Sequence, residues 1–286
     1  LLVCVLLCVY GVEIYQFSVV TTNLSANTHI DKLFIALVLI ALIITISRRG
    51  VHQVGRVAAL FIPFFVVCYL AMAGWVLLQN FSAIPAVFHT IISSAFNGHA
   101  AVGAFAGSGI LLTASQGIRR SCYAGDVGIG YASVIHSESA ASKPENQAAL
   151  AVIEIFLDSF VICTTSILLV LITGVWQEPM DASLLVQDAL GHYFPGMQVF
   201  MPLFLLFFGF TTLIAYFCAG IKCAEHLSPT FGRKCFYLYG ICSLLAFTYV
   251  EPSQALTVMS ITAAVLLVFN LYGIYRLRHE ITFEIS

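Results

Sequence analysis

Few side chains in this sequence can do chemistry, and most of those that can lie inside long apolar runs. Glu13 and Gln16 stand three apart in the first run and so share one face of a helix. The Gln16 amide offers both a donor and an acceptor, which suits a zwitterionic ligand, and it suits an ordinary interhelical hydrogen bond as well. Glu13 is expected to pair with a polar group elsewhere. Further on, Glu154 and Asp158 form an i,i+4 pair of carboxylates followed by Thr164, Thr165 and Ser166. Such a pair can hold a cation or relay a proton, but a coupling site needs oxygens converging from several helices, so its first reading is structural. Phe210-Thr211-Thr212 places two adjacent hydroxyls at mid-span, where they either bond the preceding turn or supply oxygens to sodium. Asp126 and His136 lie in a connection rich in Gly, Ser and Ala. They are general acid and base candidates only if they meet at hydrogen-bond distance or through one water.

The stretch 103–136 holds the densest signal. Gly103, Gly107 and Gly109 open an apolar run that Arg119-Arg120 stops. Small residues at this spacing serve close helix packing and an unwound break alike. The polar run Ser108, Thr113, Ser115 and Gln116 favours the break. Irregular backbone at membrane depth is tolerated only where it is buried in protein or faces a watery cavity, and half-helix ends there aim dipoles at a substrate. Phe105, between the glycines, can wall such a pocket. Several other chemistries find no support. The run from Gly125 to Gly130 lacks GxGxxG spacing, no GxSxG occurs, and the nine cysteines show no CxxC or paired Cys/His spacing for a metal.

The elements that carry these groups follow from composition. The chain has 286 residues, 60% hydrophobic and 9% charged, with mean hydropathy +0.98. Globular domains carry roughly a quarter charged residues, so this is an all-α integral membrane protein. Apolar runs at 2–22, 33–47, 57–78, 100–118, 148–173, 199–220, 235–250 and 255–275 predict eight spans, the second and seventh being short. A barrel is excluded because period-2 alternation is missing. Charge placement tests the map. With the first span running outward, Arg48, Arg49, Arg56, Arg119, Arg120, Lys143, Lys222, Arg233, Lys234, Arg276 and Arg278 all fall on the cytoplasmic side, and only Lys32 falls outside. Both ends are then cytoplasmic, in a multi-pass plasma (cell inner) membrane protein. No basic patch suggests nucleic acid as a partner. The chain opens inside a span without a basic leader, which is expected of a segment whose upstream helices lie elsewhere.

With these residues in view, a resemblance emerges. Gly103-Ala104-Phe105-Ala106-Gly107, Gly117-Ile118-Arg119-Arg120, Gly128-Ile129-Gly130, His136, Pro144, Gln147, Phe156-Leu157-Asp158, Cys163-Thr164 and Thr173-Gly174-Val175-Trp176 follow one another in an order that resembles the alanine/glycine:cation symporter family of prokaryotes. Gln16, the Pro63-containing span and Phe210-Thr211-Thr212 extend the likeness more weakly in both directions. The resemblance implies a sodium-coupled carrier of a small amino acid such as alanine or glycine, working without a cofactor or enzymatic chemistry. It implies a leucine transporter-like fold of two inverted five-helix repeats, with residues 1–80 the remainder of the first repeat and 100–275 the second. It places Gln16, Gly103, Phe105, Gly107 and Tyr216 around the substrate, and Thr211 and Thr212 on sodium. Departures stand beside it. Ala124-Gly125-Asp126-Val127-Gly128 replaces the family's Ser-Asn-Glu-Ala-Gly, and Ala215-Tyr216 replaces a Gly-Trp pair that bounds the pocket. The first two repeat helices have no counterpart. The competing expectations are a partial carrier that needs upstream helices and a membrane-embedded enzyme built on Asp126 and His136.

Overall fold

The computed structural model describes residues 13–48, 51–96, 124–137, 143–180 and 183–280, with a few single positions between 114 and 139. Every regular element among the described residues is helical. In chain order these are α1 (Ile14–Thr28), α2 (Lys32–Ser47), α3 (Val51–Gln79), α4 (Ile84–Phe96), the short α5 (Tyr131–His136), α6 (Pro144–Phe156), a π turn (Leu157–Cys163), α7 (Thr164–Thr173), α8 (Leu185–Gly191), α9 (Met197–Leu227), α10 (Gly232–Phe247) and α11 (Pro252–Leu277).

Local chemistry sets several boundaries. The Asp31 carboxylate accepts hydrogen bonds from the backbone N–H groups of Leu33 at 2.9 Å and Phe34 at 3.2 Å, capping α2. Pro144 and Pro252 open α6 and α11, where a missing N–H costs nothing. His29 ends α1 in the left-handed conformation, and its N–H bonds the Ser25 carbonyl.

Four stretches are long and apolar enough to cross a membrane: Phe61–Gln79, Pro144–Thr173, Met197–Leu227 and Pro252–Leu277. They coincide with the third, fifth, sixth and eighth runs of the sequence. The second and seventh runs form helices of 16 residues. At 1.5 Å per residue these reach about 24 Å, short of a hydrocarbon core of about 30 Å. The fourth run lies almost wholly outside the described residues.

Helix α9 is the hub. It packs against α1, α2, α3, α5, α8 and α10, and 56% of its spanning stretch is buried, against 11% for Pro144–Thr173. Its C-terminal half joins α1, α2, α10 and α11 in one core around Phe17, Leu213, Phe217, Phe236 and Leu244. Its N-terminal half joins α3, α7 and α8 in a second core around Tyr69, Leu169, Leu190 and Met201. The rings of Phe61 and Phe65 stack on Phe207, and Phe65 meets Phe204 edge to face, tying α3 to α9.

Glycine makes the closest of these approaches. Phe236 of α10 occupies the space a Cβ on Gly220 of α9 would need, and Phe217 of α9 does the same to Gly240 of α10. The two rings meet edge to face at 5.2 Å. This reciprocal seating is van der Waals packing, the main attraction left to helices in lipid, where burial of apolar surface gains little. Gly220→Ala should therefore destabilise the protein by about 1–3 kcal/mol through overpacking. The check is a thermal unfolding midpoint in detergent, lowered by Gly220→Ala, partly restored when Phe236→Leu is added, and not lowered by Gly273→Ala, which meets open space.

Candidate substrate and cation site on helices α1 and α9

Helices α1 and α9 lie against each other, and two contacts set their register. Val20 of α1 fills the space beside Gly209 of α9, and Glu13 of α1 lies within electrostatic reach of Cys218. As one helix position rises the other falls, so the pair is antiparallel. Gln16 therefore stands level with the stretch of α9 between Gly209 and Cys218, which holds Thr211, Thr212 and Tyr216. Four of the residues singled out in the sequence thus fall within about two helical turns of one another on adjoining helices. Gly103, Phe105 and Gly107 lie outside the described residues.

The side chains of this level differ in what they have left to offer. Gln16 is half-buried, one turn above Glu13. The Thr211 hydroxyl donates to the carbonyls of Phe207 and Phe208, both at 2.9 Å, and the Thr212 hydroxyl donates to Phe208 at 2.9 Å. Spending the proton on the preceding turn leaves the oxygen lone pairs as acceptors, which is what a cation requires. Tyr216 is 3% exposed, and its ring meets Tyr131 edge to face at 4.6 Å. Tyr131 is itself placed by a relay from α11. The Asn270 amide donates to the carbonyls of Val127 at 3.0 Å and Gly128 at 2.9 Å, pinning the turn that leads into α5. An apolar cavity of about 270 Å³ lies beside it, between Tyr131, Ala219, Cys223 and Leu266.

Sequence reasoning missed an amide stripe above Gln16. Asn23 is seven residues on and Asn27 four beyond that, so the three lie along one edge of α1. At the C-terminal end of α1, Asn27 and Gln187 of α8 exchange hydrogen bonds, 3.2 Å from Asn27 to Gln187 and 2.8 Å in return, and Asn23 donates to the same Gln187 oxygen at 3.4 Å. The 4-and-7 spacing was a visible signal. Its partner on α8 was not.

The expected partner of Glu13 is also missing. Its carboxylate is fully buried, and neither oxygen has a hydrogen-bond partner among the described residues.

Among the described residues, Asp126 and His136 do not form an acid–base pair of their own. His136 meets the Gln147 amide through Nδ1 and approaches Glu154 at 3.8 Å through Nε2. Glu154 is 67% exposed, so the ion pair adds little. Asp126 sits in the left-handed region at φ 56°, and its carboxyl is pushed up to about 7, first by burial and then by the nearby charges of Glu154 and Asp158. Because the folded chain holds this proton more tightly than an unfolded one, the resulting stability is present in acid and is lost as pH rises from about 4 toward 7. Asp126→Asn keeps the left-handed backbone accessible and removes the titration. The thermal midpoint of the wild type should fall more steeply between those pH values than that of the variant, and parallel curves would show that Asp126 carries no such linkage.

Comparison with known proteins completes the picture. A family model described as the sodium:alanine symporter family matches residues 1–286. An uncharacterized transporter, YflA, of Bacillus subtilis is 32% identical over 222 residues, 76% of this chain and 46% of that protein. The sodium/alanine symporter AgcS of Methanococcus maripaludis is 27% identical over 234 residues, 80% of this chain and 50% of that protein. A sodium/proton-dependent alanine carrier protein of a Bacillus species is 28% identical over 218 residues, 71% of this chain and 48% of that protein. The chain spans about half the length of the curated relatives it matches. With a match that runs the whole length of its apolar helices, the chain belongs to the sodium:alanine symporter family, whose members are transporters and not enzymes.

Proposed function

We propose that the gene product carrying this chain is a sodium-coupled symporter of a small neutral amino acid such as alanine or glycine. The observation that carries this reading is the half-buried Gln16 amide on α1, set level with the Thr211 and Thr212 oxygens and the Tyr216 ring on α9 in a chain of this family. A zwitterion at that level meets an amide that can both donate and accept, and sodium meets hydroxyl oxygens whose protons are already committed. Gly103, Phe105 and Gly107 complete the substrate pocket in this proposal. Sodium and substrate assist each other because each pre-organises groups the other uses, and that coupling is reciprocal. Tyr216 stands where the family has a bulkier Trp, which favours a slightly roomier pocket.

The topology proposed with it is eight spans in a five-plus-five inverted repeat, with residues 1–80 belonging to the first repeat and 100–275 to the second. The protein is placed in the plasma (cell inner) membrane with both ends of this chain cytoplasmic. The charge distribution along the sequence supports that orientation.

Alanine uptake by the full-length gene product in proteoliposomes should require an inward sodium gradient, and equal uptake without sodium would refute the coupling. At saturating sodium, Gln16→Ala should raise the KM for alanine about tenfold or more, the loss expected when a zwitterion gives up a hydrogen bond. Thr211→Val should raise the sodium concentration for half-maximal uptake severalfold and leave the alanine KM at saturating sodium near the wild-type value. An unchanged sodium dependence would remove Thr211 from the cation site.

A further inference from the structure

Asn270 is an amide in a run of α11, Ala263 to Leu271, that is otherwise apolar. An amide left unbonded there is costly, and this one spends its N–H groups on the carbonyls of Val127 at 3.0 Å and Gly128 at 2.9 Å. The Val127 carbonyl also accepts from the Gly130 N–H at 3.2 Å, so a single acceptor ties α11 to the residue just before Tyr131. Gly130 adopts φ 90° and lies hard against the same amide: a Cβ there would come within 3.0 Å of the Asn270 side-chain oxygen. From this pinned turn Tyr131 begins α5, is 5% exposed, and sets its ring edge to face on Tyr216 at 4.6 Å. A tie between helices would be reason enough for such an amide. The space around Tyr131 asks more of it. Among the described residues the Tyr131 side chain borders a cavity of about 270 Å³, shared with Ala219, Leu266 and Gly273. A side chain beside empty volume has no packing partner on that side. Close packing therefore does not hold Tyr131 on Tyr216, and the pinned turn does.

We propose that Asn270 is a positioning residue for substrate size: by pinning the turn before α5 it holds Tyr131 on Tyr216 and so fixes how large a side chain the carrier accepts beside Tyr216. This deepens the transport reading above and rests on it. Asn270 touches no substrate in this scheme and acts through Tyr131. With the turn pinned, the Tyr216 ring is backed and the space beside it suits a side chain no larger than a methyl group. With the turn released, Tyr131 has the cavity to move into, Tyr216 follows, and a neutral amino acid one methylene longer than alanine is admitted. Sodium is handled separately, because the Thr211 and Thr212 hydroxyls are oriented by carbonyls of their own helix.

The test uses the full-length gene product in proteoliposomes and compares Vmax/KM for alanine with that for 2-aminobutyrate, which is longer by one methylene. Asn270→Asp keeps the shape and removes both donors. It should lower the alanine preference about tenfold, the low end of what one methylene is worth in an apolar pocket, and leave the sodium concentration for half-maximal uptake near the wild-type value. Asn270→Gln, which keeps the donors, should retain most of the preference. Tyr131→Leu should relax selectivity as much as Asn270→Asp, and the double variant should go no further, because the two residues act through one contact. Equal losses of Vmax/KM for both substrates would make Asn270 a structural tie and overturn the proposal. A Gln variant as relaxed as the Asp variant, or a double variant in which the two effects simply multiply, overturns it too. Should Asn270→Asp not fold, Tyr131→Leu decides alone, and an unshifted preference refutes the proposal. A wild type that takes up no alanine refutes the transport reading itself, whereas uptake with an unshifted preference in the variants refutes the role of Asn270 and leaves that reading standing.

Discussion

The close seating of helices on α9 is the constraint on which the rest of this structure depends. Lipid tails are as apolar as the side chains they would replace, so helices in a bilayer are held together mainly by contact. Contact at this density needs small residues, and α9 supplies them where its neighbours press closest: Gly209 under Val20 of α1, and Gly220 under Phe236 of α10. Helix α10 answers with Gly240 under Phe217. Through these seats one 31-residue helix reaches both cores, and any shift in α9 is felt at α1 and α3 together.

That arrangement also decides where polar groups can survive. Most hydroxyls of the long helices donate to a carbonyl one turn back, as Thr165, Ser166, Thr211, Thr212 and Thr262 do. This satisfies the proton locally and keeps the oxygen as an acceptor. A few polar contacts cross between helices: Ser18 to the Val250 carbonyl, Ser47 with Tyr237, and the amides of Asn23, Asn27 and Gln187. The amide cluster lies at the C-terminal end of α1 and Ser47 at that of α2, whereas Ser18 is buried two residues from Gln16. At that level the Glu13 carboxylate has no hydrogen-bond partner among the described residues. In a low-dielectric interior, uncommitted polarity is costly unless something binds there.

The turn that leads into α5 shows a related economy. Asp126 and the turn after it are held by Asn270 on α11, and Tyr131 at the end of that turn rests on Tyr216. The stretch 124–128 and Tyr216 are therefore neighbours in space, joined through the Tyr131 ring. Three carboxylates, Asp126, Glu154 and Asp158, gather beside the same turn. The i,i+4 pair that looked self-contained in sequence is in fact completed by a residue nearly thirty positions earlier.

Much of this molecule is legible in its residues alone. Run lengths locate four helices that can span, Asp31 and the two helix-opening prolines mark starts, and the order of family motifs from Gly103 to Trp176 identifies the carrier type. Charge signs give the orientation proposed for the segments. Rotation and depth are another matter. Helices that are apolar on every side carry no stripe to say which face turns inward, so α9 looks no more central than α11 in the sequence. Only packing shows that Val20 meets Gly209, and from that single register follow the alignment of Gln16 with Thr211, Thr212 and Tyr216 and the isolation of Glu13. The sequence by itself determined what this chain is made to lie in and which groups it brings there. Tertiary structure decided which of those groups meet, because in an apolar solvent that choice rests on the fit of small residues against large ones, and fit is a property of pairs of helices and not of any one.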